Sequence, residues 1–153
     1  MSKGTQALRA ISLVAGLILS AMAFADNCSG TWHNVDQIDH TEELGNGVAL
    51  TSFSALSSNV YRERNEIRTG SCSGYVLTMP DGKTRVAYAC ARKNKLGDIA
   101  VDEGTREPGA KRGTWKVTSA TGSLAGSIGD SGWWQEDIND GKVSAGTWGG
   151  TCH

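Results

Sequence analysis

The chain has 153 residues, among them 20 glycines and 4 cysteines, with 15 basic and 16 acidic residues. That length suits one domain with enough chain for a real core. A balanced charge without a basic stripe argues against nucleic acid as a partner.

Residues 1–25 read as a signal peptide of bacterial type. Lys3 and Arg9 supply a positive start, Ala10 to Met22 is apolar, and Ala23-Phe24-Ala25 is a small-x-small cleavage site before Asp26. The apolar run is short of the ~20 residues a spanning helix needs, and no lipobox precedes Cys28. The expectation is an exported protein, periplasmic or extracellular, with one mature domain over 26–153. No second apolar run follows, so no membrane insertion of the mature chain is expected. Nothing in the sequence sets the oligomeric state.

Beyond residue 26, short apolar runs alternate with Gly, Asp, Asn and Ser. They predict strands near 29–36, 47–56, 70–79, 84–92, 98–103, 112–119, 124–129, 131–138 and 142–149. The polar segments Ser57 to Arg68 and Glu103 to Lys111 predict long loops. From Gly113 to Cys152, glycine alternates with aromatic and β-branched residues. This suits strands that bend sharply and pack rings over bare backbone. The tripeptide Gly-Thr-Trp occurs at 30–32, 113–115 and 146–148, at unequal spacings that exclude a solenoid repeat. The fold class is all-β, a closed antiparallel barrel of about eight strands.

Cys28, Cys72, Cys90 and Cys152 form an even set in an expected exported chain, with no Cys-x-x-Cys. Two disulfides are favoured over zinc. Met79-Pro80-Asp81-Gly82-Lys83 has the chemistry of a type I turn with a G1 bulge. That turn sets Thr78 opposite Thr84, Val76 opposite Val86, Gly74 opposite Tyr88 and Cys72 opposite Cys90. The cysteines then meet at a non-hydrogen-bonded position, where Cα atoms lie ~4.5 Å apart. Cys72–Cys90 is one predicted bridge, with the Tyr88 ring covering Gly74, and Cys28–Cys152 is the other. The latter joins the first strand to the last, as barrel closure requires. The same turn type at Ile138 to Lys142 predicts Trp134 opposite Gly146 and Trp148 opposite Gly132. A two-residue Asp-Gly turn would set Trp133 against Trp148 instead.

Thr121-Gly122-Ser123-Leu124-Ala125-Gly126-Ser127-Ile128-Gly129-Asp130-Ser131-Gly132-Trp133 resembles the glycine signature of allene oxide cyclase-like and dirigent-like barrels. The likeness extends to Cys72-Ser73-Gly74, Cys90, Gly97-Asp98 and Gly113-Thr114-Trp115, over roughly residues 40–149. The chain departs from the pattern at Ala120, where the first glycine of the signature is missing, and at Asn94-Lys95-Leu96. The resemblance implies an eight-stranded barrel of calycin-like or allene oxide cyclase-like type with a central cavity. It carries no catalytic residue onto this chain.

No nucleophile elbow surrounds a serine, and the glycine run from Gly122 to Gly132 lacks the lysine and helix of a P-loop. His33, Asp36 and His40 are weak metal candidates at a spacing that matches no structured metal motif, so no metal or cofactor is expected. Glu136 and Asp137 fall on opposite faces of a strand and cannot act as a carboxylate pair. Trp115, Trp133, Trp134, Tyr75 and Tyr88 are the candidate ligand-binding rings. Trp133 and Trp134 are adjacent, so one faces in and the other out, and Tyr75 and Tyr88 lie on opposite faces of one hairpin. The expected function is binding of a small apolar or amphiphilic molecule inside the barrel. The alternatives are an isomerase- or lyase-type enzyme and a structural or protein-binding barrel with a filled core.

Overall fold

The computed structural model describes residues 27–153. The expected signal peptide, 1–25, lies outside the described residues. Eight strands follow one another: β1 (Cys28–Gly45), β2 (Val48–Tyr61), β3 (Glu66–Thr78), β4 (Thr84–Lys93), β5 (Ile99–Arg106), β6 (Gly113–Ala120), β7 (Ser131–Asn139) and β8 (Val143–Thr151). Each pairs antiparallel with the next, and β8 pairs with β1, which closes the barrel. Beyond Val35, whose partner is Val143, β1 runs on with β2 as a hairpin that projects past the seam.

Both predicted disulfides are present. Cys28–Cys152 has a Cα separation of 5.9 Å and Cys72–Cys90 one of 4.0 Å. The β3–β4 register is the one the turn chemistry requires, with Cys72 opposite Cys90, Gly74 opposite Tyr88 and Thr78 opposite Thr84. Gly82 takes φ 78°, its N–H donates to Met79 O at 2.9 Å, and Met79 N–H donates to Lys83 O at 2.8 Å. This is the G1-bulge hairpin.

Four expectations about strands and turns need correction. The segment Ser57 to Arg68 is a hairpin, with β2 ending at Tyr61 and β3 starting at Glu66. Asn59 and Arg68 line the lumen while Ile67 points out, so the segment lacks the apolar-in alternation by which a strand is recognised. β5 likewise runs on to Arg106, into the segment expected to be a loop. Residues 122–127 are a 3₁₀ helix where a strand was expected. The Asp98 carboxylate accepts from Ser123 N–H at 2.9 Å and Ser123 Oγ–H at 2.6 Å, and this pins the first turn. Leu124 is then buried against Ala100 and Val117 at one end of the barrel.

The fourth concerns β7–β8. Trp134 faces Trp148, and Gly146 faces Glu136. Asp140 makes the turn: its N–H donates to Val143 O at 3.2 Å, and its carboxylate accepts from the N–H groups of Lys142 and Val143 at 2.9 and 2.8 Å. The register shifts once more between Glu136 and Ile138, a bulge that leaves Asp137 unpaired in the ladder.

The glycines and aromatics nevertheless interlock. Gly30-Thr31-Trp32 of β1 lies antiparallel to Gly146-Thr147-Trp148 of β8, so Gly30 faces Trp148 and Trp32 faces Gly146. Gly113-Thr114-Trp115 of β6 meets Gly132-Trp133-Trp134 of β7 the same way. A Gly-x-Trp segment run against another necessarily sets each indole opposite a glycine. The Trp148 ring lies over Gly30, Trp32 over Gly146 and Trp134 over Gly113. Tyr88 covers Gly104, not Gly74, beside which lies the Phe53 ring. Bare backbone lets four bulky indoles share one lumen.

Candidate functional site: the barrel lumen

Strand alternation sends one face of every strand inward, and the inward residues enclose a cavity of about 370 Å³. It runs to the end of the barrel that carries the β7–β8 turn, where Asn139 and Gly141 line it. The opposite end is packed by the Leu124 cluster and by Cys28, Trp148, Tyr61 and Cys152.

The walls differ. On β6, β7, β8 and β1 stand Trp115, Trp134, Trp148 and Trp32. Their rings meet edge to face, Trp32–Trp134 at 6.2 Å and Trp115–Trp148 at 5.8 Å between centroids, a favoured aromatic geometry. Three of these indoles are anchored to backbone: Trp32 Nε1–H donates to Gln135 O at 3.2 Å, Trp134 Nε1–H to Thr114 O at 3.2 Å and Trp115 Nε1–H to Trp133 O at 3.1 Å. Tyr88 extends this wall, 5.8 Å from Trp134.

The wall from β2 to β5 carries the charges, set among apolar residues such as Phe53, Val76 and Val86. Arg68, 2% exposed, donates from Nε and Nη2 to both carboxylate oxygens of Glu66 at 3.0 and 3.1 Å, and from Nη1 to the Tyr61 hydroxyl at 3.2 Å. Arg92 donates to Ser57 Oγ at 3.1 Å and to the Asp102 carboxylate. Nearer the mouth, Arg106 lies 3.9 Å from Glu136 and over the Trp134 ring. Burial pushes the Tyr88 and Tyr61 hydroxyls up from their ordinary values, so both stay neutral donors.

Asp102 shows which effect dominates on the charged wall. Burial raises its carboxyl above the ordinary range, by more than Arg92 and Arg68 lower it. A carboxyl raised in the folded state binds its proton at a higher pH than in the unfolded chain. Its charged form therefore opposes folding, and stability is lost as pH rises through the folded value. Relative to Asp102→Asn, the natural chain should gain stability as pH falls from neutrality toward the carboxylate range. Urea midpoints of the two proteins across that window check this. A difference that shrinks on acidification would show that ion pairing outweighs burial.

Of the sequence candidates, Trp115, Trp134 and Tyr88 line the lumen. Tyr75 is 40% exposed on the outer surface. Trp133 also faces outward, with the Arg112 guanidinium 3.9 Å above its ring. Neither outer ring contributes to the cavity, as alternation requires once Trp134 and Tyr88 point in. His33, Asp36 and His40 do not converge. His33 lies on an outer groove, Asp36 lines the lumen, and His40 is exposed on the projecting hairpin. Among the described residues, no group of three or more His, Cys, Asp or Glu is placed to hold a metal.

Sequence reasoning missed Trp32, Trp148, Asn34, Asn59 and the lumen charges Arg68, Arg92, Arg106 and Asp102. A signal existed for two of them. Cys72 and Cys90 fix the inward face of β3 and β4, and Arg68 and Arg92 share that parity. In comparisons with known proteins, no family model, no curated protein and no solved structure matches the chain.

Proposed function

We propose that this barrel is an exported binding protein that takes a small amphiphilic molecule into its lumen. The observation that carries the reading is a cavity of about 370 Å³ with an indole wall facing an arginine-bearing wall. At ~30 Å³ per water, that is room for about a dozen waters. It falls at the lower end of the ~300–1,000 Å³ range of small-molecule sites, which suits one or two rings. A core selected for stability alone has little use for charges, since hydrophobic replacement of buried ion pairs is often neutral or stabilising. Open volume beside such pairs is better explained by a guest than by packing.

Two disulfides support export, because such bonds persist in oxidising compartments. Among the described residues, no helix is long and apolar enough to cross a membrane. Kinship with allene oxide cyclase-like and dirigent-like barrels is part of the same proposal. Its support is the resemblance in glycine spacing together with an eight-stranded closed barrel.

Four of the five tryptophans line the cavity, so occupancy should quench intrinsic fluorescence. Titration with fatty acids, terpenoids and aromatic metabolites should give saturable quenching with at least one class. Native mass spectrometry of protein from its own host should show a retained mass. No saturable quenching across the panel and no retained mass would overturn the reading.

A further inference from the structure

We infer that the lumen ligand carries a neutral hydroxyl head group, as a phenol or alcohol does, and binds with it against Asn34, Asn59 and Trp148. This rests on the lumen-binding reading and specifies its chemistry.

Three buried side-chain polar atoms have no hydrogen-bond partner in the described structure: Asn34 Oδ1, Asn59 Oδ1 and Trp148 Nε1. All three residues line the same cavity. They stand on three adjoining strands, β8, β1 and β2. Trp32 lies opposite Asn59, and Asn34 is two residues further along the same face of β1. Gly30, two residues before Trp32, lies between Tyr61 and Trp148. Trp148 differs from the other three lumen indoles, whose N–H groups are all bonded to backbone carbonyls.

The unpartnered set is two acceptors and one donor. A hydroxyl offers one donor and two lone pairs, so it can give its proton to an asparagine oxygen and accept from the indole N–H. A carboxylate is acceptor-only and has no proton to give either asparagine oxygen. The nearby cations do not invite it, because Glu66 holds Arg68 at both carboxylate oxygens, and Arg92 is taken by Asp102 and Ser57. An ammonium has no lone pair to accept the Trp148 N–H. The indoles of Trp32, Trp115 and Trp134, whose N–H groups are already bonded, are left to pack against the ligand's rings.

The test is calorimetric titration of the mature protein with four matched probes: naphthalene, 2-naphthol, 2-naphthoate and 2-naphthylmethylammonium. The expected result is that 2-naphthol binds at least tenfold tighter than each of the others. Asn34→Leu/Asn59→Leu should bring naphthol down to the affinity of naphthalene while naphthalene binding persists. Should that double variant fail to fold by near-ultraviolet dichroism, Trp148→Phe reads the same ratio, and should lower it. Equal binding of naphthol and naphthalene would show that water serves the three atoms, and would overturn the inference. Preference for the carboxylate or the ammonium would overturn it as well. Both outcomes leave lumen binding standing. Silence from all four probes and from the broader quenching panel would overturn lumen binding itself.

Discussion

Gly146→Val should unfold the protein or lower its urea midpoint severely, whereas Gly126→Val should leave the midpoint almost unchanged. A Cβ on Gly146 would fall within bonding range of the Gln135 carbonyl oxygen and 2.8 Å from the Trp32 ring. The first obstacle is backbone of the adjoining strand and cannot rotate away. The second is an indole whose N–H donates to that same Gln135 oxygen. Overpacking of this kind costs ~1–3 kcal/mol where side chains can adjust, and occasionally more. With backbone as the obstacle, the upper end or beyond is expected. Gly126 has open space around its Cβ position and no left-handed φ, so its substitution should stay within about 0.5 kcal/mol, as surface changes do. Matching midpoints for the two variants would show that the Trp32 ring does not lie over Gly146.

How much of this was legible depends on how local the determining chemistry is. The β3–β4 hairpin carries its register in five consecutive residues, so Cys72–Cys90 follows from Pro80, Asp81 and Gly82. The β7–β8 hairpin looks similar on paper. There Asp140 binds the backbone N–H groups of Lys142 and Val143, and a bulge at Asp137 shifts the ladder again. Neither event leaves a distinctive residue type. The Gly-Thr-Trp repeats were visible but their use was not, because reciprocal pairing is a property of two strands at opposite ends of the chain. The Cys28–Cys152 bridge brings the two tripeptides near each other, yet Cys28 pairs in register with Gly150, two residues short of its disulfide partner.

The lumen was legible by half. Aromatics in glycine-rich strands announce an interior wall, and Trp115, Trp134 and Tyr88 were found that way. The opposite wall carries arginine, aspartate, asparagine and serine among its apolar residues, and these types ordinarily mark solvent. A strand with such residues on its inner face loses the pattern that identifies it. This is why Ser57 to Arg68 read as a loop while Arg68 sits almost wholly buried. The features that obscure the strand are those that give the lumen its charged wall.

Cys28→Ala/Cys152→Ala should destabilise the protein more than Cys72→Ala/Cys90→Ala does. The bridges close loops of very different size, with sequence separations of 124 and 18. In the chain-entropy picture, the loop-length term alone favours the longer bridge by roughly 1.7 kcal/mol at 25 °C, within a total of ~2–5 kcal/mol for native bridges of exported domains. Topology adds to this. β8 meets β1 only after the whole chain has been laid down, and Cys28–Cys152 tethers that seam beside the pair Cys28 and Gly150. The shorter bridge lies within a hairpin whose register is already set by its turn. What opposes the ranking is that both Cys72 and Cys90 are buried, whereas of the other pair only Cys28 is. Cys90 is 2% exposed in the lumen, and Arg92 contacts Cys72 Sγ at 3.5 Å, so alanines there lose packing as well as connectivity. Urea midpoints of the two double variants decide between these effects. A larger loss from the Cys72/Cys90 pair would mean that lumen packing, not seam closure, limits stability.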